Sequence, residues 1–253
     1  MKIALLLFGQ PRNIENPNSF KSHQEWIYDE YDVDTFCHVW WEKGVEGYDV
    51  SDWVNEECKA PENPIEVIEE RYKPKNIKVE PPRNFKLSDD LYKRTRDKFG
   101  YDHPWSEKTL SNVSSHLYSI ESAARLIENP NDYDFIIQSR YDNYIHNFPD
   151  LDSMDGDHFY LSDHHPRFPD LMYIFSPKFI ETQFTYGKMD ELAERHFDKF
   201  WEPSAECYKY YNYLDKFFIQ QLFPIHLPVR VIRDSTGYGD TSQLPSEYLQ
   251  KLQ

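Results

Sequence analysis

The chain has 253 residues, of which 39% are hydrophobic and 17% aromatic, so it is long enough to bury a sizeable core built on Tyr, Phe and Trp more than on Leu and Val. That aromatic content argues against intrinsic disorder. Asp plus Glu number 44 against 28 Lys plus Arg, and the resulting net charge of −16 repels a phosphate backbone over most of the surface, which excludes general nucleic-acid binding.

The first predicted element is the apolar run of residues 3–8, a strand buried on both faces of a parallel sheet and closed by the Gly9-Gln10-Pro11 turn. The run is too short for a secretory signal and lacks a small-residue cleavage site after it. A helix is expected from Ser19 to Tyr28, then a β-branched and aromatic strand from Val33 to Trp40, giving a βαβ opening. Residues 42–64 read as acidic and irregular. A short helix, Ile65 to Tyr72, is stopped by Pro74, and Ile77 to Glu80 forms a third strand ended by Pro81-Pro82. Residues 83–106 are charged without clear periodicity and read as an excursion over the surface, placed as a lid near a site.

Leu110, Val113, Leu117, Ile120, Ala124 and Ile127 recur at helical spacing, and Asn129-Pro130 stops that helix. The strand Tyr133 to Ser139 follows and delivers Arg140-Tyr141-Asp142 at its carboxyl end, where open α/β sheets bind ligands. Further strands are expected at Phe159 to Leu161 and Leu171 to Phe175, with the polar loop Ser162 to Asp170 between them. Helices are expected at Pro177 to Phe184, Met189 to Phe200 and Ala205 to Leu222, and a last strand at Val229 to Ile232. No repeat, linker or stretch approaching the roughly 18 apolar residues of a membrane helix interrupts this order. The fold class is therefore α/β: a single Rossmann-like domain over 1–253, a mostly parallel mixed sheet flanked by helices, with halves 1–145 and 146–253.

Cys37, Cys58 and Cys207 are odd in number and form no CxxC pair, which predicts reduced thiols in a soluble, cytoplasmic protein and no disulfide framework or zinc site. The Asn112-Val113-Ser114 sequon has no meaning in that compartment. Asp142 stands where a carboxylate at a strand end can hold a divalent cation, and Arg140, two residues earlier, can share its face and bind phosphate or carboxylate. The plainer alternative is a surface ion pair. Asp163-His164-His165 lacks a third spaced ligand for zinc. Tyr208, Tyr210, Tyr211 and Tyr213 suit either sugar stacking or core packing.

Four motifs in order, Phe8-Gly9-Gln10-Pro11-Arg12, Val33-Asp34-Thr35-Phe36-Cys37-His38-Val39-Trp40, Ser115-His116-Leu117-Tyr118-Ser119 and Arg140-Tyr141-Asp142, make the chain resemble the GT-A glycosyltransferases. The particular likeness is to a group found in large viruses, phages and bacteria, whose pattern reads FGQPR, VDxFxHxW, SxxYS and RxD. The resemblance implies sugar transfer from a nucleotide-diphosphate donor, a UDP- or GDP-sugar, to a glycan or glycoconjugate acceptor. It places Gly9, Gln10, Arg12, His38, Ser115, Tyr118 and Arg140 around the donor, with a Mn²⁺ or Mg²⁺ ion on Asp142. An ordinary turn at Gly9-Gln10-Pro11 and core roles for His38, Trp40 and Tyr118 stand beside those assignments, core being preferred for Trp40. RxD replaces the usual DxD, leaving one carboxylate where many relatives have two. An inverting transfer needs a base, for which Asp163, Asp170 and Glu206 are candidates and Asp170 the choice; a retaining one does not. The alternatives are a non-catalytic glycan- or nucleotide-sugar-binding protein of the same fold, and a phosphotransferase or hydrolase, which the missing P-loop and GxSxG motifs disfavour.

Overall fold

The computed structural model describes residues 1–43, 61–82, 84–100, 103–162, 171–225, 227 and 229–231. The chain opens with β1 (Lys2–Gly9), whose run from Ile3 to Phe8 is buried throughout, as an apolar strand covered on both faces must be. Helix α1 (Pro17–His23) starts with the Asn16 side chain accepting from Asn18 N and Pro17 at its first position. It runs into a π-helical turn over Gln24–Tyr28, so the helix expected there is α only in its first half. Strand β2 (Asp32–Trp40) follows, then α2 (Pro64–Tyr72), closed by Lys73 in the left-handed region, and β3 (Asn76–Glu80).

The expected surface excursion at 83–106 is corrected: it contains α3 (Asp89–Phe99). Ser88 caps it, with Oγ accepting from Leu91 N at 3.3 Å, Asp89 and Asp90 fill the first turn, and Gly100 closes it at φ 70°. Its buried Leu91 packs with Leu110 and Val113 of α4 (His103–Ala124), which begins earlier than the apolar periodicity indicated. Strand β4 (Phe135–Arg140) carries the chain into β5 (Asn143–Ile145), a short strand not foreseen, and then β6 (Phe159–Ser162) and β7 (Tyr173–Phe175).

Three helix expectations change. Residues Pro177–Gln183 form 3₁₀ turns, in which side chains three apart align; Phe179, Thr182 and Thr185 are all buried on that period. Helix α5 (Met189–His196) tightens to 3₁₀ at Phe197–Lys199 before reaching Phe200. Helix α6 (Ala205–Leu214) stops well short of Leu222, because β8 (Leu222–Ile225), with Pro224 inside it, is drawn into the sheet beside β6. The last strand, β9 (Val229–Val231), pairs with β5 in a separate two-stranded sheet.

The main sheet is α/β and mostly parallel, in the order β3-β2-β1-β4-β7-β6-β8, and β7 alone runs against its neighbours. Strand alternation divides the core. Ile3, Leu5, Leu7, Cys37, Ile137 and Tyr141 face α1 and α2, while Ala4, Leu6, Phe8, Phe36 and Ile136 face α4. A third cluster joins α3, α4, α5 and α6, and it takes in Tyr208 and Tyr211; with Tyr213 in the α4-side core, the tyrosine-rich segment is used for packing. No helix among the described residues is long and apolar enough to cross a membrane.

Candidate functional site

From β1 the chain steps outward through β2 to β3, then crosses back to lay β4 on the other side of β1. The connections leaving β1 and β4 therefore diverge, and a crevice opens beyond their carboxyl ends, the ligand position of open α/β sheets. A cleft of about 230 Å³ lies there. It is lined by Phe8, Gly9, Gln10 and Arg12 from β1 and its loop, Trp40 from β2, Arg140 from β4, and Asn112, Ser115, His116 and Ser119 from one stripe of α4.

The loop after β1 is held in an unusual backbone conformation. Gly9 has φ 105° and Asn13 φ 52°. A Cβ on Gly9 would meet nothing within 4 Å, so the backbone angle and not crowding calls for glycine. Arg71 of α2 fastens the loop from the far face of the sheet, its guanidinium donating to the carbonyls of Ile14 (2.6 Å), Glu15 (3.1 Å) and Asn16 (3.4 Å). Arg12 is thereby carried on a loop pinned a few residues downstream.

The turn after β4 is fastened from the same side by the polar face of α1. Ser19 Oγ lies 2.5 Å from the Tyr141 carbonyl and 2.9 Å from that of Asn143, and Ser22 Oγ accepts from Ile145 N at 3.1 Å. His23 is fully buried; burial pushes its imidazole down to about 4, against the opposing pull of the Ser19 carbonyl. It is neutral at neutral pH. Nδ1–H donates to that carbonyl (2.9 Å), so Nε2 accepts from Ser139 Oγ (3.1 Å), which in turn accepts from Asn143 Nδ2 (3.0 Å).

Within the turn, Arg140 grips Asp142 with both ends of its fork, Nε to Oδ1 at 2.8 Å and Nη2 to Oδ2 at 2.7 Å. Arg140 reaches the cleft wall while Asp142, 3% exposed, lies behind it. Both Asp142 oxygens serve Arg140, and no three His, Cys, Asp or Glu side chains converge among the described residues.

A second polar network lies behind the opposite wall. His38, fully buried, has Nδ1 2.6 Å from Ser119 Oγ and Nε2 3.0 Å from Glu80 Oε2. Glu80 also accepts from Tyr118 OH at 3.0 Å and from Lys78 Nζ at 2.7 Å. Burial alone would raise the Glu80 carboxyl, but the bonds from Lys78, His38 and Tyr118 outweigh it and hold the group down to about 2. The Tyr118 ring stacks on Trp40, centroids 5.4 Å apart, and His38 meets the same indole edge-on at 4.7 Å.

Of the residues singled out from sequence, Gly9, Gln10, Arg12, Ser115 and Arg140 share the cleft, while His38, Tyr118 and Asp142 stand one layer behind it. Trp40 packs as a core residue and also lines the cleft. Asp163 and Asp170, with the loop that carries them, lie outside the described residues, and Glu206 is half-buried on α6, away from the cleft lining. Sequence reasoning missed Asn112, His116 and Ser119 as cleft residues, and Glu80 and Arg71 as their support. The signal was present for the first three: with Ser115 they form a polar stripe at helical spacing beside the apolar one. No protein-family model matches the chain, and no curated protein matches its sequence.

Proposed function

We propose that the chain is a glycosyltransferase of the GT-A type that binds a nucleotide-diphosphate sugar in the cleft at the ends of β1 and β4 and passes the sugar to a glycan acceptor. The observation that carries the reading is the convergence of Arg12 and Arg140 on a crevice at the switch point of a parallel sheet, in a chain of net charge −16. Two guanidiniums in one concave site favour a compact dianion such as a diphosphate, and Ser115, Asn112 and Gln10 add hydroxyl and amide groups for a sugar or ribose. In this reading Arg12 meets the diphosphate charge, and Arg140, whose own charge is paired with Asp142, adds an N–H donor at the cleft wall. Mn²⁺ or Mg²⁺ at Asp142 is tested as a separate arm, since the fork of Arg140 would have to yield one carboxylate oxygen to it.

The test is thermal stability of the purified protein with UDP, GDP, CMP and their sugars, with and without Mn²⁺, repeated on Arg140→Ala and Asp142→Ala. A ligand at a hundred times its Kd stabilises the native state by about 2.7 kcal/mol. The reading expects a shift with one nucleotide family that disappears in Arg140→Ala; no shift with any nucleotide would sink it. The occupied Asp142 favours one rival, a binding protein without turnover. Donor hydrolysis by the wild type separates the two, since a pure binder leaves the nucleotide sugar intact.

A further inference from the structure

We infer that the β8 edge of the main sheet is a docking face for a second copy of this chain, which meets it through Phe218, Ile219 and Phe223 in a two-fold symmetric dimer. Met1, Val79, Phe218, Ile219 and Phe223 are the large apolar side chains exposed among the described residues, and the last three fall in one short stretch leading into β8. Phe218 is 77% exposed, Ile219 53% and Phe223 48%. β8 ends the strand order, and among the described residues it pairs with β6 alone.

The stretch is held in place from behind. Phe218 N donates to Gln221 Oε1 at 3.1 Å, the Phe218 carbonyl accepts from Tyr213 OH at 3.3 Å, and Ile219–Gln221 closes into a 3₁₀ turn. The Phe223 ring meets those of His158 and Tyr160 edge-on, at 5.4 and 5.7 Å. Backbone and ring are thus ordered before any partner arrives, which lowers the entropic cost of docking. Pro224 removes a backbone donor from β8 and blunts strand addition at this edge, so the contact is side chain on side chain. At about 200 Å² for each fully exposed side chain, the three present about 350 Å² of apolar surface. A stable interface takes about 800 Å² from each partner, so the patch is large enough to form its dry core, with the polar groups around it as the rim.

Charge selects a second copy as the occupant. The carboxylates beside the patch each face a basic group: Asp155 meets His158 at 3.5 Å, Asp157 meets Lys178, and Glu181 meets Lys216. The rim is therefore of mixed sign, in a chain of net charge −16. Two-fold symmetry sets the same residues against each other, which a rim of one sign would oppose and a mixed rim permits. An anionic lipid surface would instead call for unmatched lysines, and here both lysines are matched. Repulsion between the acidic remainders of two copies is screened beyond about 8 Å at physiological salt. In the sheet order β8 stands three strands from β4, so the cleft stays open in such a dimer.

Sedimentation velocity of the full chain, from about 1 to 100 µM in 0.15 M NaCl, tests this. The wild type should pass from monomer to dimer over that range, and association should tighten toward 0.5 M NaCl as repulsion between two chains of charge −16 is screened. Phe218→Ser combined with Phe223→Ser should raise the Kd at least about 100-fold, since two central anchors are lost, with far-UV circular dichroism and nucleotide-induced shifts in Tm as in wild type. A wild type that stays monomeric throughout, a dimer that dissociates as salt rises, or a double variant that still dimerises overturns the inference. So does co-sedimentation of a monomeric wild type with phosphatidylcholine vesicles that the double variant loses, which would give the patch to a lipid surface.

Discussion

The Arg140–Asp142 pair offers the sharpest energetic test, because its geometry predicts strong coupling and its removal can be made nearly isosteric. Its side chains are 17% and 5% exposed and joined by two charge-assisted bonds. Breaking a buried pair from one side costs about 3–5 kcal/mol, mostly because the remaining charge is stranded. Arg140→Gln strands the more buried partner and should cost about 3–4 kcal/mol; Asp142→Asn leaves a guanidinium that water can partly reach and should cost about 2–3 kcal/mol. The double variant strands nothing, so its cost should fall short of the sum by about 2 kcal/mol. Urea unfolding of the four proteins at pH 7.5 measures this, and for a chain of this size each kcal/mol corresponds to about 2–4 °C in Tm. Additivity within about 0.5 kcal/mol would refute the reasoning. Asp142 would then be energetically independent of Arg140, and a Mn²⁺-dependent rise in Tm absent from Asp142→Asn would identify its true partner.

Glu80 should leave a pH signature: its carboxyl is held at about 2 in the folded protein against an ordinary 4.5, so its stabilisation is present above about pH 4.5 and is lost as pH falls toward 2. Glu80→Gln should lose at most about 3 kcal/mol above pH 5, with the gap to wild type narrowing between pH 4.5 and 3; a gap independent of pH in urea unfolding would contradict this. Arg71→Met keeps the stem but releases the loop carbonyls, and should cost about 1–3 kcal/mol and weaken nucleotide binding with far-UV circular dichroism unchanged; wild-type affinity in the variant would detach Arg71 from the cleft. Gly9→Ala meets no clash but must adopt φ near 105°, so a loss of about 1–3 kcal/mol is expected, and an unchanged Tm would show that the loop relaxes at no cost.

Much of the fold was legible because its strands carry their burial in composition. The run Ile3–Phe8 and the segment leading to Ser139 could be placed without partners, and the apolar stripe of α4 gave the helix that covers them. Helix α3 escaped because its few apolar residues give no clear period among so many charges; its caps, Ser88 and Gly100, were the readable signal. β8 escaped for a different reason. Leu222–Ile225 is four residues with a proline, and only pairing with β6 makes it a strand. The cleft was half legible. Gly9 and Arg140 sit where strands end, but Arg71, Glu80 and Lys78 look like solvated charges until folding turns them onto loop carbonyls and a buried histidine. Lys209 is the extreme case, a lysine 1% exposed whose Nζ meets Gln138 Oε1 at 2.7 Å and the Tyr173 ring at 4.1 Å.

The cleft is braced from both faces of the sheet, and this bears on what it can do. From the α1 and α2 side, Ser19, His23 and Arg71 fix the two turns that present Arg12 and Arg140. From the α4 side, Ser119, His38 and Glu80 fix the helix against β2 and β3, and Tyr118 backs the Trp40 wall. A flexible cationic loop would bind an anion by paying its ordering entropy at each encounter, whereas side chains already locked by buried bonds keep that free energy for affinity. The bulk charge of −16 makes such preorganisation more consequential, since long-range repulsion slows approach and selectivity must come from short-range contacts inside the crevice. The bracing sets the Arg140 guanidinium and the Trp40 indole in fixed relation beside the polar stripe of α4, and the proposed donor reading rests on this arrangement more than on any single motif.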